Sequence, residues 1–137
     1  MDVKLEYPIL YFCKDDSLLF TEADDESFTR VRSRALRGSY FKKFYVVDSK
    51  GNGYRLKAVR KVGYLPPFLG WLVGEIRISM EFEKPEQIDL NELKEHTLRV
   101  IDMDIDYWDS TVGRDVEDLK TLIRNTKSTK ELIEILR

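Results

Sequence analysis

The sequence predicts an α+β domain: an antiparallel sheet of five to six strands, followed by two to three C-terminal helices packed on one face. Three observations predict it. Up to residue 83, apolar residues recur with period two or in short runs, as strands require. Beyond Pro85 the period lengthens to three and four, as helices require. The change happens once, and strands segregated from helices mark α+β folds rather than alternating α/β ones.

Taken in order, residues 8–14 are rich in Ile, Leu, Tyr and Phe and read as a strand. Asp15-Asp16-Ser17 supplies side chains that bond their own backbone, so a turn is expected, with residues 17–21 returning as the second strand of a hairpin. Residues 22–26 read as an acidic loop. Residues 29–36 alternate, with Arg30, Arg32 and Arg34 on one side and Val31, Ser33 and Ala35 on the other. That is an extended segment with three guanidiniums on one face, a helix being the alternative.

Residues 44–48 form a strand, and Ser49-Lys50-Gly51-Asn52-Gly53 is a hairpin turn, since Gly and Asn tolerate positive φ. Residues 54–62 return with Tyr54, Leu56, Ala58 and Val62 on one face, and Arg55, Lys57 and Lys61 on the other. Arg60, on the apolar side, marks a frayed strand end. Residues 63–74 carry no charge, and Pro66-Pro67 excludes a central strand or an uninterrupted helix. Ile76, Ile78, Met80 and Phe82 then alternate with polar residues, giving a strand wet on one face.

Asp89 with Glu92 forms a capping box for a first helix whose stripe is Leu90, Leu93, Thr97, Val100 and Ile101. Residues 115–125 form a second helix with Val116, Leu119, Leu122 and Ile123 inward. Ser128 and Glu131 cap a third, which buries Leu132, Ile133 and Leu136. Without a repeat or a low-complexity linker, residues 1–137 are expected to be a single domain.

The lone cysteine, Cys13, forms no intramolecular disulfide. No stretch nears the ~20 apolar residues that span a bilayer, and the N-terminus lacks the basic start and apolar run of a signal peptide. A cytoplasmic protein with no membrane contact is expected. Net charge is −2, but it is unevenly spread. Residues 1–29 hold two lysines against eight acids, residues 30–61 hold eleven bases against one acid, and residues 62–137 hold ten bases against sixteen acids. Charge this concentrated is either neutralised within the fold or presented to a partner.

Catalytic motifs fail residue by residue. Asp102, Asp104 and Asp106 start like a calcium loop, but Tyr107 and Gly113 stand where that loop needs Gly and Glu. Val100-Ile101-Asp102-Met103-Asp104 is similar to the start of haloacid-dehalogenase-type phosphatases, but only 33 residues follow Asp104, and that chemistry needs further catalytic residues downstream. A solvated acidic helix end or turn is the plainer expectation. His96 is the only histidine and lacks an evident orienting partner, and Cys13 reads as a small buried hydrophobe; spacing leaves a Cys13–His96 pairing open. No catalytic residue, metal ligand or cofactor is assigned.

Two binding signals remain. Arg30, Arg32, Arg34, Arg55 and Lys57 belong to a basic stretch interleaved with Tyr40, Phe41, Phe44 and Tyr45, the composition of a single-strand nucleic-acid surface. The same bases could face the acidic N-terminal loop and helices, or an acidic protein. Tyr64, Phe68 and Trp71 are hot-spot residue types in the uncharged segment, which equally suits a tucked loop or a homodimer contact.

The hairpin at 46–54, the Trp108-Asp109-Ser110 corner and the closing segment 127–136 give the whole chain a layout that resembles small bacterial immunity proteins, cytosolic antidotes to polymorphic or contact-dependent toxins. The resemblance implies a non-catalytic protein that occludes a toxin's active site; it carries over no functional residue. The expected function is protein binding by a non-enzymatic domain, an immunity-type inhibitor being the specific form. Nucleic-acid binding through residues 30–61 is the alternative, and a metal-dependent enzyme using Asp102–Asp109 is third.

Overall fold

Ile9, Leu10, Tyr11, Phe12 and Cys13 make an unbroken apolar run, and all five are buried. A strand with only one covered face would alternate, so this run marks a strand packed on both sides. It is β1 (Ile9–Cys13) of a computed structural model that describes residues 4–36, 39–64, 74–111 and 115–137. β1 pairs antiparallel with β2 (Leu18–Glu22), which places Tyr11 opposite Phe20. The turn between them holds Lys14, Asp15 and Asp16 at positive φ.

The expected acidic loop is instead partly helical. Asp24 accepts a hydrogen bond from Ser27 N (2.8 Å) and starts a one-turn helix, α1 (Asp25–Phe28), which buries Phe28. The local signal is an N-cap: an aspartate three residues before a free N–H. The extended reading of residues 29–36 holds only for β3 (Arg30–Arg32); a 3-10 turn, Ser33–Leu36, follows and carries Arg34.

β4 (Tyr45–Val47) pairs with β1, and β5 (Asn52–Tyr64) pairs with β4, β6 and β7. Asp48 organises the hairpin between β4 and β5. Fully buried, it accepts hydrogen bonds at Oδ1 from Lys50 N and Asn52 N, both 3.0 Å. Gly51 takes φ 81°, which a residue without Cβ adopts freely. β6 (Glu75–Phe82) buries Ile76 and Ile78 as the alternation predicts. β7 (Glu86–Gln87), a two-residue strand without a sequence signal, pairs with the start of β5.

The strand order is β2-β1-β4-β5-β6-β3, with β7 beside β5, and the pairings are antiparallel. The register of β5 against β6 shifts between Leu56 and Ala58, and again between Lys61 and Gly63. Such bulges bend a strand and raise its twist, so the sheet curls. They also reset the alternation, which corrects the expected apolar face of β5: Ala58 is exposed and Val62 is 62% exposed. Arg60 stands within the paired ladder, opposite Ser79, rather than at a frayed end.

Among the described residues, four helices follow: α2 (Leu90–Met103), α3 (Ile105–Thr111), α4 (Val116–Arg124) and α5 (Thr129–Leu136). Asp89, Asp115 and Ser128 cap α2, α4 and α5. Glu131 Oε2 accepts from Lys127 N, one residue before the position a capping box would use. α3 occupies the expected acidic turn and is started by Asp104 Oδ1, which accepts from Tyr107 N. Leu122, expected inward, is 41% exposed; the buried position beside it is Lys120, whose Nζ meets Asp102 and Glu117. A long aliphatic stem lies in the interior while the ammonium keeps charged partners.

Two cores result. Leu10, Phe12, Leu19 and Val47 pack under the helices against Leu93, Ile101, Leu119 and Leu132. Ile9, Tyr11, Cys13, Val46 and Tyr54 pack on the other face with Phe28 and Phe44. The helix stripes predict the helix-covered face; what covers the other face is not written in them. The second core arises because the curled sheet, α1 and the 39–44 segment close over the reverse of β1 and β4. Full burial of one side chain of Phe12's size contributes roughly 2–3 kcal/mol, so both faces of β1 matter to stability.

Candidate functional site

Three of the expected binding residues share one cleft. Arg30 and Arg32 stand on β3, Arg34 on the 3-10 turn after it, and Lys14 joins them from the turn after β1. The cleft encloses about 390 Å³. Its apolar part comes from Leu18 and Phe20 of β2, Val31 of β3, and Ala35 and Tyr40. No acidic residue is among the described residues that line it. Arg30 makes one exposed contact nearby, Nη2 to Glu26 Oε1 at 3.5 Å. An exposed i,i+4 pair of this kind contributes little and leaves the guanidinium free to exchange partners.

The cleft's position follows from the topology. β2 and β3 are the two ends of the strand order, and the curl brings both to the same opening. Short α1 is the direct link between them. Lys14 N–H donates to Tyr40 O at 3.0 Å and Asp15 N–H to Lys42 O at 2.9 Å, so the 39–44 segment is tied to the β1 end of the cleft.

Arg55 and Lys57 are not among the residues that line this cleft. The Arg55 guanidinium lies 5.6 Å from the centre of the Tyr45 ring, a cation–π distance, on the rim of a separate cleft against α2. Lys57 pairs with Glu81 at 3.5 Å on the exposed face. Tyr64 is the last residue of β5, opposite Ile76. Phe68 and Trp71 lie outside the described residues.

The basic stretch is partly neutralised within the fold, as one sequence reading expects: Lys42 and Lys43 both reach Asp15, at 3.4 Å each. Phe44, Phe41 and Tyr40 are engaged with the second core, although Tyr40 also lines the cleft. Phe44 is buried, and Tyr40 and Phe41 pack against the second core, with the Tyr40 and Tyr11 hydroxyls 3.4 Å apart. Burial raises the Tyr11 and Tyr40 hydroxyls above their ordinary value, so both stay neutral.

The cleft against α2 encloses about 590 Å³ and mixes charges: Asp16, Glu83, Glu86 and Glu92 with Lys43, Arg55 and Arg99. His96 lines it, stacked on Phe12 with ring centres 4.0 Å apart. Its Nε2 is 2.7 Å from Asp16 Oδ1, but the ring N–H is not aligned for a hydrogen bond. The sequence missed this partner because Asp16 lies eighty residues away, in a turn. Burial lowers the imidazole pKa, Asp16 opposes that, and Arg99 adds to it. A Cys13–His96 pairing is excluded: Phe12 and Cys13 are consecutive in β1 and face opposite cores, with His96 on the Phe12 side.

Asp102 is engaged with Lys120, and Asp104 with the start of α3. Among the described residues, no cluster of His, Cys, Asp or Glu is arranged to hold a metal ion. Among them, too, no helix is long and apolar enough to cross a membrane. Fold and site together define an α+β domain with a basic cleft between the two ends of a curled antiparallel sheet. The chain matches no protein-family model, no curated protein and no solved structure.

Proposed function

We propose that this chain is a non-enzymatic protein-binding domain that takes an acidic surface of its partner into the cleft between β2 and β3. The carrying observation is the convergence of Lys14, Arg30, Arg32 and Arg34 around an apolar floor, with no acid among the described lining residues. Guanidiniums recognise carboxylates through paired hydrogen bonds, and the apolar floor adds contact area that charge alone does not provide. An immunity-type inhibitor, holding a bacterial toxin domain at this cleft, is the specific form the sequence resemblance supports.

The test is charge reversal. Arg30→Glu/Arg32→Glu/Arg34→Glu should fold, since these side chains are exposed, and should lose a partner that the native chain retains in pull-down from its host. A variant with unchanged circular dichroism that still retains the partner would refute the cleft. For the inhibitor form, expression of the native chain, but not the variant, should protect cells from a toxin encoded beside its gene.

Four cations in one groove also fit a phosphate backbone, and this favours nucleic acid as the second reading. Burial of Phe44 and the packing of Phe41 against the second core leave Tyr40 as the one of these three that lines the cleft, which reduces the stacking contribution such surfaces use. Filter binding over a salt series decides it. Neutralising about four phosphates gives a log–log slope of roughly −3 for single strands, and no binding at low salt removes the reading.

A further inference from the structure

Strand geometry points to how a partner would engage the cleft. β3 is an end of the strand order and pairs only with β6 among the described residues, with Arg30 opposite Arg77, Val31 opposite Ile76 and Arg32 opposite Glu75. Ile78 N–H donates to Thr29 O at 2.9 Å, so residues 29 and 78 are a hydrogen-bonded pair. Antiparallel ladders alternate, which makes Val31 and Ile76 the next such pair. The backbone N–H and C=O groups of Arg30 and Arg32 therefore point away from β6, along the outer edge of the sheet.

We infer that the cleft accepts an extended acidic segment of a protein partner, added as a further strand on the outer edge of β3; this rests on the protein-binding reading above. Three features select that occupant. The Arg30 and Arg32 side chains lie two residues apart on one face of the strand, a repeat of about 7 Å, which matches carboxylates at alternate positions of a facing strand. Val31 lies on the opposite face, and Leu18, Phe20 and Val31 supply an apolar floor for the residues between those carboxylates. A second copy of β3 is a poor occupant, because edge-to-edge pairing would set Arg30 and Arg32 against the same guanidiniums. Like charges facing each other across strands are destabilising, and charged edges are how native sheets resist self-pairing. The same charges attract an acidic strand.

The expected ligand alternates acidic with β-branched or aromatic residues, and main-chain hydrogen bonds contribute affinity beyond charge. A library of octapeptides with Glu at alternate positions and varied apolar residues between them is the probe. The best binder is then compared with three derivatives: one with Gln for each Glu, and two N-methylated at alternate residues, each blocking donation from one of the two backbone edges. Strand addition predicts at least a tenfold loss for the Gln derivative and for one of the two N-methylated ones, and slowed hydrogen exchange at the Arg30 and Arg32 amides in the complex. It predicts a similar loss for Arg30→Glu/Arg32→Glu. If neither N-methylated derivative loses affinity while Gln abolishes it, strand addition is overturned and the acidic-partner reading survives. If no acidic library member binds better than its Gln counterpart, both are overturned. If sedimentation shows a dimer of the free chain in which the Arg30 and Arg32 amides are protected, self-pairing replaces an acidic partner.

Discussion

Asp48→Ala should remove about 3 kcal/mol of stability. The side chain is fully buried and accepts two backbone N–H groups at 3.0 Å, those of Lys50 and Asn52, while Oδ2 lies 3.5 Å from Glu6 N. A hydrogen bond to a charged acceptor contributes about 1.5–3 kcal/mol, and an orphaned buried donor costs about 1–3 kcal/mol. Lys50 is exposed, so water satisfies its N–H in the variant; Asn52 is half-buried and recovers less. Counting Lys50 near the lower figure and Asn52 near the middle of the range gives about 3 kcal/mol. Asp48→Asn keeps an oxygen at the turn and should lose only about 1 kcal/mol, the difference between charged and neutral acceptors. Urea unfolding followed by tryptophan fluorescence measures both. With a slope of about 2 kcal/mol/M, the Ala midpoint falls by roughly 1.5 M. A fall below roughly 0.5 M would show that the buried carboxylate does not organise the hairpin. Tyr54 supplies a second readout: its hydroxyl is raised by burial first and by Asp48 next, so the Ala variant should titrate lower than the native chain.

Gly53→Ala places a Cβ in overlap with the Tyr45 hydroxyl and 2.8 Å from Ile88 Cγ1, so it should cost about 1–3 kcal/mol in the same urea assay. His96 has its pKa lowered by burial, against the pull of Asp16. The unfolded chain therefore takes up this proton first, so His96 costs folding nothing well above its ordinary value of about 6.5 and weighs against it as pH falls below that. The urea midpoint should drop between pH 7.5 and 5.5, and His96→Gln should reduce that drop. Burial pushes the Cys13 thiol up to about 12, so iodoacetamide at pH 8 should label the unfolded chain and spare the native one over the same interval.

The helices were the most legible part of the sequence because their boundaries are written locally. Asp89, Asp115 and Ser128 each accept from an N–H two or three residues on, and a reader of the sequence can see both partners. β5 was legible as a strand but not as a surface. Its two register shifts depend on pairing with β6, a distant segment, and they turned Val62 outward where a constant alternation had placed it inside. The second core had a signal in the unbroken Ile9–Cys13 run, which says that both faces of β1 are covered, but not by what. Within the cleft, period two identified Arg30 and Arg32 directly. Arg34 reached the same opening through a 3-10 turn rather than a continued strand. Lys14 and Phe20 were invisible as site residues, because only the curl that brings β2 beside β3 makes them neighbours of the arginines.

The turn after β1 takes on a different role once both cores are considered. Lys14, Asp15 and Asp16 all occupy the left-handed region, at φ 51°, 58° and 69°, without a glycine among them. Aspartate tolerates that region; lysine does so at a cost. A turn of this composition is a weak device for choosing how β1 and β2 align. The alignment is chosen by sorting. Odd-numbered Ile9, Tyr11 and Cys13 go to one core, and even-numbered Leu10 and Phe12 to the other. A slip of one residue would exchange the two sets, driving the Tyr11 hydroxyl under the helices and Phe12 away from His96. The register is thus held from both sides of β1, and the backbone of the turn conforms to it.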